Sequence, residues 1–118
     1  MSIKIVAIQD DGNQEDERIL MEVLQDDNTN NYLVLDTTYG SDGIVSNKHK
    51  HPFWFPKVSV KKGDFVILYS KKGNYNKFLN QRDTTSHHFF WNLESCVWNN
   101  NGDKAYLLEI ASVDSKSK

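Results

Sequence analysis

The four histidines of this chain hold the spacings most able to do chemistry. His49 and His51 stand two apart, so an extended backbone carries both on one face, as two ligands of a metal would be. His87 and His88 are neighbours, and an extended backbone turns them to opposite faces. Zinc asks for three or four ligands in a tetrahedron, and no Cys-x-x-Cys or His-Glu-x-x-His spacing completes either pair. No metal is expected, and the histidines read as solvated or strand-end residues. Asp83, Ser86, His87 and His88 are the residue types of a nucleophilic relay. Neighbours on one strand point apart, however, and no Gly-x-Ser-x-Gly turn presents the serine. Cys96 is the sole cysteine, which excludes an intramolecular disulfide. It lies in an apolar stretch and reads as a buried structural thiol rather than a nucleophile. The paired carboxylates Asp10-Asp11, Glu15-Asp16-Glu17 and Asp26-Asp27 fall in turn-forming sequence, where solvation explains them. KKGNYNK, residues 71–77, has a single glycine and makes no phosphate-cradling loop. The chain therefore reads as non-enzymatic and without a cofactor.

A second chemistry is binding. Residues 48–82 interleave Lys48, Lys50, Lys57, Lys61, Lys62, Lys71, Lys72, Lys77 and Arg82 with the rings of Trp54, Tyr75 and Phe78. Cations engage phosphates and exposed rings stack on bases, so a nucleic-acid surface is one reading. The isoelectric point near 6.0 is far from that of a dedicated nucleic-acid binder. Lysines at turns also protect the edges of β-sheets. Within this stretch, HKHPFWFP (residues 49–56) places Phe53 and Phe55 on one face of a short strand and Trp54 on the other. Its two prolines remove ladder donors and suit an edge strand. Phe53 and Phe55 are thus expected in a core, Lys48–His51 in a solvated loop, and Trp54 on the outside as a contact for a partner.

Charge is unevenly spread. Residues 1–42 hold ten acids and two bases, a net of −8; residues 43–83 hold nine bases and two acids, a net of +7. The two stretches can cancel inside the fold or join one chain to the next.

The elements that must position these residues are strands. Ile3–Ile8, Arg18–Gln25, Tyr32–Thr38, Phe65–Tyr69, His87–Trp91 and Ala105–Val113 are short and rich in β-branched and aromatic residues, and turn-forming runs separate them. Residues 17–38 read as one hairpin with a long loop, 71–86 as a long polar connection, and NNNGD (residues 99–103) as a hairpin turn. Phe55, Phe65, Ile67, Tyr69, Phe89, Trp91, Trp98 and Leu107 are the expected core. A chain of 118 residues suits one domain, 1–118, with a core over about 17–113 and a frayed tail at 114–118. No run of 18 apolar residues spans a membrane, and the N-terminus lacks the apolar run of a signal peptide. The expected compartment is the cytoplasm.

The second half resembles the lamin-tail domain family. The residues that carry the resemblance are Phe55-Pro56, Gly63-Asp64 before the apolar strand, Trp98-Asn99, and Gly102-Asp103 opening a strand with Ala105 and Leu107. The likeness runs over about 17–113 and is strongest from 53 to 110. It implies an immunoglobulin-like β-sandwich of seven to nine strands, a stand-alone bacterial member of that family. Gly63 and Gly102 suit the positive φ of tight turns, and Asp64 and Asp103 can bond turn amides. The resemblance further implies a non-catalytic module that binds a protein partner or itself, since the family shares no catalytic constellation. Trp54, Lys48, Lys50, Lys57, Lys71, Lys72, Lys77 and Arg82 are the expected contact residues. Nucleic-acid binding by residues 48–82 is the alternative. A small hydrolase is a further one, and it would need a concave pocket holding His87 or His88 beside an acid.

Overall fold

The computed structural model of the chain describes residues 1–38, 51–98 and 103–118. Among them the fold is all-β, with ten strands rather than seven to nine. They are β1 (Ile3–Gln9), β2 (Arg18–Val23), β3 (Asp27–Asn28), β4 (Tyr32–Thr38), β5 (Phe53–Trp54), β6 (Ser59–Val60), β7 (Phe65–Tyr69), β8 (Asn76–Leu79), β9 (Thr85–Phe90) and β10 (Asp103–Glu109). A five-stranded sheet runs β1-β2-β7-β9-β8, a three-stranded sheet runs β10-β4-β5, and β3 pairs with β6. All pairings are antiparallel except β7 with β9, because β9 inserts between β7 and its own hairpin partner β8. The two larger sheets share one core: Ile19, Met21, Leu68 and Phe89 from the first meet Tyr32 and Val34 from the second. Among the described residues no helix is long and apolar enough to cross a membrane.

The expected hairpin over 17–38 does not form. β2 pairs with β1 and β7, while β4 pairs with β10 and β5. Between them the chain crosses from one sheet to the other through a 3-10 turn, Thr29–Asn31, held by a buried threonine. The Thr29 hydroxyl donates to the Pro56 carbonyl at 2.6 Å and accepts from the Val58 N–H at 3.0 Å. A hydroxyl that replaces water inside a crossing satisfies backbone groups that a sheet ladder would otherwise take.

Two other expectations are corrected. Residues 71–86 are not only a connection, since Asn76–Leu79 is the edge strand β8. The 99–103 turn lies mainly outside the described residues, but β10 returns onto β4 and not onto the 96–98 stretch.

The core was half legible. Phe55, Phe89, Trp91 and Trp98 are buried and Leu107 packs partly against them, whereas Phe65, Ile67 and Tyr69 lie on the outer face. Asp64 sets that phase. Its carboxylate is buried, and strict alternation from it turns Val66, Leu68 and Ser70 inward and the larger side chains outward. The 61–64 turn ahead of it is as expected: Asp64 N–H bonds the Lys61 carbonyl at 2.9 Å, and Gly63 has φ +92°. A Cβ on Gly63 would also sit 3.0 Å from the Thr84 methyl. Gly63→Val is therefore expected to cost more than about 1 kcal/mol in urea denaturation. A loss well below that would mean the turn adopts another conformation.

Candidate functional site: an aromatic groove between two sheet edges

The groove is built from the edge of each large sheet. On one side β5 alternates as its sequence demands. Phe53 and Phe55 turn inward, with ring centroids 4.9 Å apart edge-to-face, and Phe55 meets Phe89 in the same manner at 5.0 Å. Trp54 turns outward and is 52% exposed. Its indole N–H donates to the Asn30 carbonyl at 2.8 Å, so the ring is fixed while its apolar surface stays open.

On the other side stands Tyr75, just ahead of β8. Its ring packs on Phe89 with centroids 4.9 Å apart. Its hydroxyl lies 2.9 Å from Nδ1 of His87, whose Nε2 lies 2.9 Å from a carboxylate oxygen of Asp64. Asp64 also accepts the N–H groups of Lys61 and Thr85, each at 3.0 Å. Burial alone would push the Asp64 carboxyl up. The two backbone N–H groups and His87 outweigh it and hold the carboxyl below its usual range. An ionised carboxylate only accepts, so Nε2 of His87 carries a proton.

Between Trp54 and Tyr75 lies an open cleft of about 340 Å³, floored by Phe53, Phe89 and Phe90 and bordered by Pro56, Gly73, Asn74 and Asn92. Gly73 passes over the Phe90 ring so closely that a Cβ would lie 2.5 Å from it. Its N–H is received by the Asn92 side chain at 2.9 Å, and Asn92 itself has φ +61°. Among the described residues no charged one lines the cleft.

The expected contact residues do not form one strip. Lys57, next to Pro56, and Lys77, on β8, are exposed, and alternation puts Lys77 on the same face of its strand as Tyr75. Lys71 and Arg82 lie on the outer face of the five-stranded sheet, 5.1 Å over the Tyr69 ring and 5.5 Å over the Phe65 ring. Phe78 is on that face as well, tilted over His88 at 4.7 Å. Lys72 pairs with Glu94 at 2.9 Å and Lys61 with Asp26 at 3.7 Å. The acidic and basic stretches thus meet within the fold at Asp26, which also receives the Lys62 N–H. Asp103 opens β10 opposite Thr38. Lys48, His49, Lys50 and Gly102 lie outside the described residues.

Several polar residues hold the structure in ways their sequence context hid. Glu17, expected in solvent, is fully buried. One carboxylate oxygen accepts the N–H groups of Gly12 and Trp98, each at 3.0 Å; the other accepts the Val97 N–H at 2.8 Å and the Ser70 hydroxyl. His51 is exposed, but its N–H and ring nitrogen both bind the buried Asp36. Cys96 is half-buried rather than buried; burial and the Glu17 charge push its thiol up, away from the reactive thiolate. Among the described residues no group of three or more His, Cys, Asp or Glu is placed to hold a metal ion.

His87 does sit beside an acid, and Tyr75 beyond it does line a cleft. The three stand in hydrogen-bonded order, Asp64 to His87 to Tyr75. Burial and the nearby Asp64 charge push the Tyr75 phenol up, so it stays protonated and poorly nucleophilic. His87 itself is 2% exposed and does not reach the cleft. What the arrangement does is fix the Tyr75 ring from behind. The chain matches no protein-family model and no curated protein.

Proposed function

We propose that this chain is a non-catalytic interaction module of the lamin-tail kind, an immunoglobulin-like sandwich that works in the cytoplasm and binds a protein partner or a second copy of itself. The observation that supports this best is Trp54. It is a large ring clamped by its own N–H, half exposed, at the mouth of an aromatic cleft. Rigid, exposed aromatics next to a pocket are the usual anchors of protein interfaces, because little side-chain entropy is lost on binding. Pinning of Tyr75 through His87 serves the same end. The nucleic-acid reading draws less support. Lys71 and Arg82 lie over rings, Lys61 and Lys72 pair with acids, and Tyr69 is stacked against both His88 and Phe90, so among the described residues few cations and ring faces of that stretch stay open.

The test is a comparison of wild type with Trp54→Ala in native pull-downs and in light scattering at low and high salt. Wild type is expected to retain a protein, or to self-associate, in a way that Trp54→Ala does not. Identical retention by both proteins, with a salt-independent monomer for each, would overturn the reading.

A further inference from the structure

We propose that the groove receives an extended acidic peptide segment of a partner protein, added as a new strand along the outer edge of β8; this rests on the interaction-module reading above. β8 ends the five-stranded sheet, and among the described residues no strand pairs with its outer side. All four of its residues are exposed. The register shows which backbone groups are open. The Asn80 N–H bonds the Thr84 carbonyl at 2.9 Å, which makes 80 and 84 a hydrogen-bonded pair. Alternation then puts Phe78 and Asn76 in bonded pairs with Ser86 and His88, and turns the N–H and C=O groups of Lys77 and Leu79 outward. A row of open donors and acceptors accepts another peptide backbone, and a nucleic acid cannot continue that ladder.

The side chains choose the occupant. Tyr75, Lys77 and Leu79 alternate onto one face, that of the groove, and Leu79 is 69% exposed. Facing them across the cleft is Trp54, and the exposed Lys57 follows Pro56 at the cleft border. The described residues that line the cleft are mostly aromatic and carry no charge, so they suit an apolar side chain. Lys57, one residue after the bordering Pro56, and Lys77, two residues after Tyr75, are exposed, and neither is paired with an acid among the described residues. A strand whose groove-facing positions, every second residue, carry both apolar and acidic side chains satisfies all three features: the open edge, the ring faces and the two ammonium groups without an acid partner among the described residues.

The probe is a fluorescein-labelled peptide of about ten residues with Thr at every second position and Val, Glu, Phe and Glu in turn between them, so that apolar and acidic side chains share one face, read by anisotropy at low salt. Controls are the same peptide with Lys for Glu and a labelled oligothymidylate. Saturable binding of the acidic peptide alone is expected. Leu79→Pro, which removes an outward N–H and leaves the β9 pairing intact, should weaken it by about tenfold or more. Trp54→Ala, on the opposite wall, should do likewise, and Lys57→Glu with Lys77→Glu should abolish the preference for acid. Circular dichroism establishes that each variant is folded. The inference is overturned if the acidic peptide does not bind, if the basic peptide or the oligonucleotide binds as well or instead, or if folded Leu79→Pro and Trp54→Ala bind unchanged. A missing peptide signal beside Trp54-dependent association in light scattering would sink this inference and leave the broader reading standing.

Discussion

Replacing Glu17 with alanine is expected to destabilise the protein by about 4 kcal/mol, a large fraction of the stability of a typical domain. The reason is the number of donors that its carboxylate satisfies. Gly12, Val97 and Trp98 contribute backbone N–H groups and Ser70 a hydroxyl, from positions 5, 80, 81 and 53 residues away in sequence. Each buried donor left without a partner costs about 1–3 kcal/mol, less where water enters the space vacated by the side chain. Glutamine is not a conservative substitute. Each carboxylate oxygen accepts two donors, so either orientation of the amide sets an NH2 group against two other donors. Glu17→Gln is expected to lose at least half as much stability as Glu17→Ala, and Ser70→Ala, which removes one donor with its acceptor still satisfied three times, only about 1 kcal/mol. Guanidinium denaturation of the three variants is the check. A Gln variant as stable as wild type would mean that the 97–98 stretch is not held by this carboxylate.

Glu17 also shows where sequence reading stops. In GNQEDERIL it is the last of a run of acids in a turn, and hydropathy assigns it to water. Its burial follows from long-range geometry, because the 97–98 stretch has no strand partner and must find acceptors elsewhere. Thr29 is the same case: a threonine in a polar turn became the pivot between sheets because Val58 arrived beside it. Patterns confined to one element were readable. The alternation of β4, the edge character of FWF between two prolines and the positive φ of Gly63 each depend on local sterics. The phase of β7 was not readable, since five consecutive apolar residues leave alternation without a sign. Only the inward position of Asp64 supplies it. The groove was half visible. Trp54 stood out as the ring left over and Tyr75 as a ring among bases, but β8, which sets where Tyr75 stands, was hidden in a polar stretch whose pairing β9 decides.

The second large effect lies at Asp64, and its sign with pH is fixed. In the folded chain the carboxyl titrates below its ordinary value of 3.8. Near neutral pH it is ionised in both folded and unfolded chains, and the folded state has the advantage of three donors aimed at it. As pH falls through 3.8 the unfolded chain takes up its proton first, and the stabilisation fades until the folded carboxyl is protonated too. Asp64→Asn keeps the shape and removes the titration. It is expected to be less stable than wild type by about 3 kcal/mol near neutral pH, since the amide sets a donor against His87 or against Thr85. The gap should narrow as pH drops to about 2, because protonation gives the wild-type carboxyl a similar mismatch. Urea midpoints of both proteins across that range are the measurement, and a gap that stays constant with pH would refute the assignment. The same substitution should act at a distance from the turn. His87 loses its fixed partner, the Tyr75 hydroxyl loses the ring nitrogen behind it, and one wall of the groove gains freedom. Any ligand that stacks on Tyr75 should then bind Asp64→Asn more weakly than wild type even where both are fully folded, because the ring must be ordered at the moment of binding.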